Sequence, residues 1–485
     1  MAERAPRKEV PKIAPEIQAI IDGLKDLPAD VIEERVAYSQ QLEEEHGLVE
    51  AAIRGHYTHL VSDALTAKVL PEGVGKELLR LLEEKDEEGV RAIMEQHNIP
   101  VIYKEMLEGV LVMRNFDPWI VDKIFMDPHD VERLPYMGGL VTAGEGPETA
   151  FDILENKRLI FAGEGSSIAI PGQIAEGLAV KHGIKPGRVV TGNCPEIQDI
   201  NSEDIVIISS NSGETATALD LARRAKKAGA MTVAVTSNKD SQLAELCDKK
   251  AILACGKEEA VGATKSVLEQ ALMTGAIVNE SVGITDTDIN SISYPFEENL
   301  LQEIPISVIR AIAKADRLVI VGENGFPEEL QLKAGETLGV KTSVVQLSDI
   351  MHGIEEAMDR RDCVLVFNPT KETVRKIEEK IVTRASKDPL KEGVPVFYIV
   401  PEGEDVLAHD PEEVEKDMEQ MGRIIEYSYH SDSDSEEALS QGALMHLAIG
   451  QNLLARAAYY TGNECVPENA RKVGDEAGSL EETMH

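Results

Sequence analysis

The chain has few of the features that mark secreted, membrane-spanning or nucleic-acid-binding proteins. Cysteine is sparse: Cys194, Cys247, Cys255, Cys363 and Cys465 are the full set among 485 residues. No two of them stand at a spacing typical of a disulfide framework or a zinc site, so they read as reduced thiols of an intracellular protein. No apolar run approaches the roughly 20 residues that cross a bilayer. The opening MAERAPRKEV has no apolar stretch of the signal-peptide kind, so a cytoplasmic location is expected. Positive charge is also scarce, with 49 basic against 87 acidic residues and a formal net charge of −38. A surface of that sign repels nucleic acid and anionic membrane, and neither is an expected partner. It fits a salt-rich cytoplasm, where counterions screen the self-repulsion. An anionic substrate must then find a local cluster of amides, hydroxyls and lysines within the negative field.

What the chain does have is a change of pattern along its length. Up to about Arg114 the sequence reads as helical, with apolar residues at helical steps among many charges, as in GKELLRLLEEKDEEGVRAIMEQH. His56 and His59 in HYTH have no companion ligands and read as a helix surface feature rather than a metal site. From Arg158 short β-branched runs alternate with helical stretches: RLIFAG, RVVTG, DIVIISS, MTVAVTS and KAILAC. This alternation predicts a doubly wound parallel sheet. The order then returns as RLVIVG, KTSVVQL, DCVLVFNP and VPVFYIV. RLIFAGEG at Arg158 and RLVIVGEN at Arg317 are themselves alike, which predicts an internal repeat of two α/β domains. SYHSDSDSEE reads as an acidic loop, and LSQGALMHLAIGQNLLARAAYYTG as a long helix leading to the tail.

The segment SSNSGETATALDLARRAKKAG follows the apolar strand DIVII and opens a helix. A strand, a run of hydroxyl residues and a helix start bring backbone N–H groups and a favourable dipole to one point, where a phosphate fits. Ser166, Ser210, Asn211, Ser212 and Thr215 are the candidate phosphate ligands, with Gly213 allowing close backbone approach. The plainer reading is that one of these residues simply caps the helix. Glu329, Lys333 and Glu336 share a helix face at i, i+4 and i+7; taken alone, such a row reads as a solvated salt-bridge stripe. His352 and Lys472, taken alone, read as an ordinary structural histidine and a tail lysine.

Four segments in order resemble the sugar isomerase (SIS) domain superfamily, and most closely the tandem isomerase half of the glucosamine-6-phosphate synthases. They are FAGEGSS with SSNSGETATALDLARRAKKAG, EEAVGATKS from Glu258, ELQLKAGE followed by MHG, and VPENARKV near the end. The resemblance covers roughly Trp119 to Val473. It implies an α/β fold of two tandem doubly wound SIS domains, 115–296 and 297–455. An all-α N-terminal domain, 1–114, precedes them, and a tail, 456–485, completes the active site.

The resemblance also implies the roles. The hydroxyl turn grips the phosphate, with Val261 and Glu329 lining the sugar. Glu336 moves a proton between C1 and C2 of an open-chain sugar, and Lys333 holds developing negative charge or tunes that carboxylate. His352 opens the ring, reaching in from a neighbouring subunit, and Lys472 forms an imine with a ketose. The implied reaction interconverts fructose 6-phosphate plus ammonia with glucosamine 6-phosphate, as an aminating isomerase or a deaminase. No metal or redox cofactor is expected. The implied assembly is a homodimer or higher homo-oligomer with a shared site.

The likeness does not extend to a glutaminase, since Met1 is followed by Ala2 and no cysteine precedes Cys194. Ammonia is therefore expected either free or from a separate glutaminase partner. Other readings are an isomerase that handles no nitrogen and a noncatalytic phosphosugar sensor. Two residues depart from the pattern: Glu164 puts a carboxylate at the first glycine turn, and Ala263 lacks a hydroxyl.

Overall fold

The computed structural model describes residues 70, 73–117, 119–125, 149–260, 262–284, 290–322, 326–350, 357–382, 393–404, 406, 423–428 and 437–462. Of the stretch expected as a helical N-terminal domain, the described part forms α1 (Val74–Glu83), α2 (Glu87–His97) and α3 (Val101–Arg114). Asp86 starts α2 by accepting the Gly89 N–H at 3.0 Å, the expected work of an N-cap carboxylate. The pair His56 and His59 lies outside the described residues.

Two short helices, α4 (Ile120–Phe125) and α5 (Ala150–Leu154), lead into the first α/β unit. Its strands are β1 (Arg158–Gly163), β2 (Val189–Asn193), β3 (Asp204–Ser209), β4 (Met231–Thr236) and β5 (Lys249–Ile252). All pair in parallel, in the order β2-β1-β3-β4-β5. The sequence dictates this placement: every residue of DIVIIS in β3 is buried, as a central strand covered on both faces requires. Helices α6 (Ser166–Lys181), α7 (Ala216–Ala228) and α8 (Gln242–Leu246) connect strands, and α9 (Lys265–Glu280) follows β5. On one face, Ala218, Leu219, Ala222 and Ala225 of α7 pack on Ile160, Val206 and Ile208 of the sheet. The helices α6 and α9 pack against each other, and α9 also packs on α3.

The second unit contains α10 (Asn290–Leu301), α11 (Ile306–Lys314), β6 (Arg317–Val321), α12 (Phe326–Leu338), β7 (Lys341–Val345) and β8 (Asp362–Phe367). It continues with α13 (Lys371–Ile377), β9 (Val396–Pro401), β10 (Ile424–Tyr427) and α14 (Glu437–Thr461). Its sheet is also parallel, ordered β10-β9-β8-β6-β7. With β6 standing for β1 and β8 for β3, the two orders are the same. The repeat reaches individual side chains. Arg158 grips Asp204 with Nε and Nη2 at 3.0 and 2.7 Å, and Arg317 grips Asp362 at 3.0 and 2.6 Å. In each sheet the two residues are register partners at the foot of neighbouring strands. A two-pronged guanidinium–carboxylate contact fixes both distance and orientation, so it pins strand register at the same place twice.

In both sheets the chain reverses its winding between the first and third strands. Loops that leave those two strand ends diverge, which opens a crevice at their C-terminal edge. In the first sheet that edge carries Gly163–Ser166 after β1 and Ser209–Thr215 after β3.

Candidate functional site

The turn after β3 is held by its own polar groups and by the end of β4. Ser210 Oγ and Thr215 Oγ1 lie 2.9 Å apart in a hydrogen bond, and Ser210 Oγ also accepts the Gly213 N–H at 3.1 Å. The Asn211 carbonyl accepts from Thr236 Oγ1 and Ser237 Oγ, both at 3.0 Å. Glu214 reaches away from the turn and accepts from the Gln242 N–H at 2.9 Å and from Gln242 Nε2 at 2.6 Å. Gly213 has φ +70°, and a Cβ there would overlap Ser241, so both conformation and space demand glycine.

These contacts bear on the capping alternative. Thr215 occupies the N-cap of α7, and its side chain makes no capping hydrogen bond. The hydroxyls are spent inside the turn, and the amides at the head of a 13-residue helix are left uncapped by them. Asn211 Oδ1 and Thr217 Oγ1 are buried at this point without a hydrogen-bond partner among the described residues. Ser210 is buried, Asn211 and Thr215 are half-buried, and Ser212 is exposed, so the turn presents a graded polar lip rather than a sealed core.

The second unit supplies the other half of the arrangement. Its helix α12 passes beside the glycine turn after β1: a Cβ on Gly165 would meet Leu332 Cδ2 at 3.3 Å. Glu329 is fully buried and Lys333 is 2% exposed, whereas Glu336 keeps about a quarter of its side-chain surface, 26%. The solvated stripe suggested by sequence spacing is therefore wrong for this row, because a neighbouring unit covers the face that periodicity could only mark as polar. Lys333 Nζ donates to Glu336 Oε2 at 2.8 Å and lies 3.5 Å from Glu329 Oε1.

Burial raises the Glu329 carboxyl above its usual range, while the Lys333 charge and the adjacent Ser166 hydroxyl pull the other way. Ser166 faces Glu329, yet neither carboxylate oxygen completes a well-formed hydrogen bond. At Lys333 burial works against the charge, and the Glu329 and Glu336 carboxylates more than offset it, so the ammonium is held above its ordinary pKa. The result is a buried, fixed cation with one partly exposed carboxylate hydrogen-bonded to it.

The segment EEAVGATK forms the third wall. A Cβ on Gly262 would lie 3.2 Å from Glu336 Oε2, and 3.4 Å from both Lys333 Cδ and Ile102 Cδ1. Glu258 Oε1 accepts the N–H groups of Thr264 and Ser266 at 2.7 and 2.9 Å and so caps α9. Lys265 points away from the row, with Nζ 2.7 Å from Glu108 and 3.7 Å from Glu105 on α3. Sequence reasoning missed the part played by Glu105. Its signal was an acid on an apolar helical stripe, at i+3 from Ile102 and one residue before Met106, where a solvated carboxylate has no place.

The structure thus brings Ser166, Glu329, Lys333 and Glu336 together, and places Ser210, Asn211, Ser212, Gly213 and Thr215 on the adjacent strand end of the same sheet edge. Val261, His352 and Lys472 lie outside the described residues. Glu164, at the first glycine turn, has its Oε1 buried without a hydrogen-bond partner among the described residues. Among the described residues no group of His, Cys, Asp and Glu is arranged to hold a metal ion, and no helix is long and apolar enough to cross a membrane.

Comparison with known proteins bears on the fold that carries these residues. Residues 152–280 match the SIS domain family. The chain is 23% identical over 228 residues to glutamine–fructose-6-phosphate aminotransferase (isomerizing) of Mycobacterium leprae, covering 43% of this chain and 36% of that protein. The chain spans about a third of the length of the curated relatives it matches. Among solved structures, the C-terminal domain of glucosamine-fructose-6-phosphate aminotransferase from Francisella tularensis superposes with TM-score 0.51 at 12% identity, over 75% of this chain and 96% of that one. A glucosamine-6-phosphate deaminase from Thermotoga maritima gives TM-score 0.50 at 16% identity, over 76% and 95%. At these identities the structural likeness speaks for the fold, which spans both sheets.

Proposed function

We propose that this chain is a phosphosugar isomerase whose substrate lies along the β1/β3 crevice, phosphate at the hydroxyl turn and open-chain carbonyl at Glu336. The boundaries 1–114, 115–296, 297–455 and 456–485 are read as a helical domain, two SIS domains and a tail that completes the site. The observation that carries the reading is the Glu336–Lys333 pair, buried between two units and open on the carboxylate side. A proton shuttle between adjacent carbons needs one partly exposed base that reaches both positions, and a fixed cation nearby to stabilise the enolate or enolamine oxygen or nitrogen. The Glu329 and Glu336 carboxylates raise the Lys333 pKa against the effect of burial, which suits electrostatic stabilisation better than the role of a neutral nucleophile.

The finer reading is an aminating isomerase or deaminase that interconverts fructose 6-phosphate plus ammonia with glucosamine 6-phosphate. In it Lys472 forms the imine, and His352 of a second copy opens the ring. The names of the relatives support amino-sugar chemistry, and the resemblance of the tail VPENARKV to the family's terminal stretch is the ground for an imine lysine. The first experiment incubates purified protein with fructose 6-phosphate and ammonium, with glucosamine 6-phosphate as readout, and runs the reverse direction alongside. Turnover in either direction supports the finer reading. Ketose–aldose interconversion without nitrogen reduces it to the plain isomerase, and binding without turnover points to a sensor.

A further inference from the structure

We propose that Glu105, on a helix outside both sheets, is a positioning residue for Glu336, acting through the segment Glu258–Gly262. This rests on the reading of Glu336 as the proton-transferring base. Glu105 is completely buried. Its two carboxylate oxygens accept separate backbone N–H groups of one loop: Oε1 takes that of Glu259, and Oε2 takes that of Ala260 at 3.0 Å. Two residues further on, Gly262 stands against Glu336 and Lys333.

The same helix presses Ile102 onto Gly262, so α3 holds this wall of the site at two points. A Cβ on Gly109 of α3 would sit 2.6 Å from Leu268 Cδ1 and 3.7 Å from Lys265 Cα, so the helix is also seated closely on α9. Charged groups around Glu105 are Lys265 at 3.7 Å, Glu108 through its own 2.7 Å contact with Lys265, and Glu258. Lys104 binds the loop from outside, 3.1 Å from Glu259.

A buried carboxylate that chelates two amides fixes a loop in a way that a neutral side chain of equal size does not, because an amide offers only one acceptor oxygen. In Glu105→Gln, one of the two loop N–H groups faces an NH2 group, and the loop must move. Movement of Gly262 changes the wall against which Glu336 rests. Misplacement of a reacting group by about 1 Å costs on the order of 100-fold in rate. The hydroxyl turn read as holding the phosphate is not part of this loop, so the larger effect is expected on the chemical step rather than on phosphate binding.

The test compares wild type, Glu105→Gln, Glu108→Gln and Glu336→Gln in the sugar-phosphate assay. In Glu105→Gln, kcat falls about 10- to 100-fold, a larger change than that in KM, and the pH profile of kcat is displaced. Glu108→Gln, which leaves both loop amides held, keeps kcat and pH profile. A role in stability alone would lower the unfolding midpoint and leave kcat, KM and the profile unmoved, and that result overturns the proposal. If Glu336→Gln retains full activity, the base assignment itself has failed; if it is inactive while Glu105→Gln is unaltered, only this inference has.

Hydrogen exchange provides a readout that needs no turnover. Peptides covering 258–264 and 333–338 exchange faster in Glu105→Gln than in Glu108→Gln, and unchanged exchange at 333–338 overturns the coupling. Should Glu105→Gln fail to fold, Glu105→Asp keeps the charge on a side chain one methylene shorter, which cannot hold both amides in place, and is held to the same outcomes.

Discussion

Replacing Lys333 by methionine tests the electrostatic heart of the site. Methionine preserves most of the volume and removes the cation, leaving Glu329, which is fully buried and has no completed hydrogen bond, without its ion-pair partner. Breaking a buried pair by removing one partner costs about 3–5 kcal/mol. For a cooperative unit of 150–250 residues that is a fall of roughly 6–20 °C in the unfolding midpoint. The loss should also depend on pH. Burial already raises Glu329 above its usual carboxyl range with Lys333 opposing, so removing the cation raises it further. A carboxyl whose folded pKa is raised binds its proton more tightly in the native state, so stability is present below the folded pKa and lost as pH rises through it. Thermal unfolding of wild type and Lys333→Met at pH 5 and pH 8 checks both points, with the larger difference expected at pH 8. A difference below about 1 kcal/mol, equal at the two pH values, is the behaviour of an exposed pair and would refute the burial argument.

Two further outcomes are expected. Gly213→Ala places a Cβ against Ser241 in a backbone region costly for any other residue. It should destabilise the first unit by about 2–4 kcal/mol and raise KM for a sugar phosphate more than it lowers kcat; an unchanged KM would remove the turn from the binding site. Burial, aided by the neighbouring Asp122 charge, pushes the Glu280 carboxyl up to about 7. The native state therefore holds that proton where the unfolded chain has released it, and stability falls as pH rises from the ordinary carboxylate range through about 7. Glu280→Gln should flatten this fall and melt higher than wild type at pH 8, and parallel melting curves for the two proteins would count against it.

The fold was largely readable because its signals are local. Nine short apolar runs announced β1 to β9, and the likeness of the two RL-initiated strands has its structural counterpart in a shared strand order and paired Arg–Asp clamps. The tenth strand escaped notice. Ile424–Tyr427 is four residues long and lies at a sheet edge, and its alternation of buried Ile425 and Tyr427 with exposed Glu426 is too short to stand out in the sequence.

The site was legible only in part, because its decisive property is contact between units. Spacing put Glu329, Lys333 and Glu336 on one face, but the same spacing belongs to any solvated stripe. Only the packing of α12 against Gly165 and Gly262 shows that the face is covered. Glu105 was marked only as an acid on an apolar helical stripe, and its role could not be read from that: its partners are two backbone amides more than 150 positions away, and an amide leaves no mark in sequence.

The measurement that bears most directly on the central claim follows the proton itself. Fructose 6-phosphate and glucosamine 6-phosphate are incubated in deuterated water with wild type and Glu336→Gln, and NMR records label entering C1 or C2. Exchange catalysed by wild type and abolished in Glu336→Gln, with sugar-phosphate binding retained, is the predicted result. Equal exchange in the two proteins would contradict the assignment of the shuttle to this carboxylate, and wild-type binding without exchange would contradict the enzyme reading as a whole.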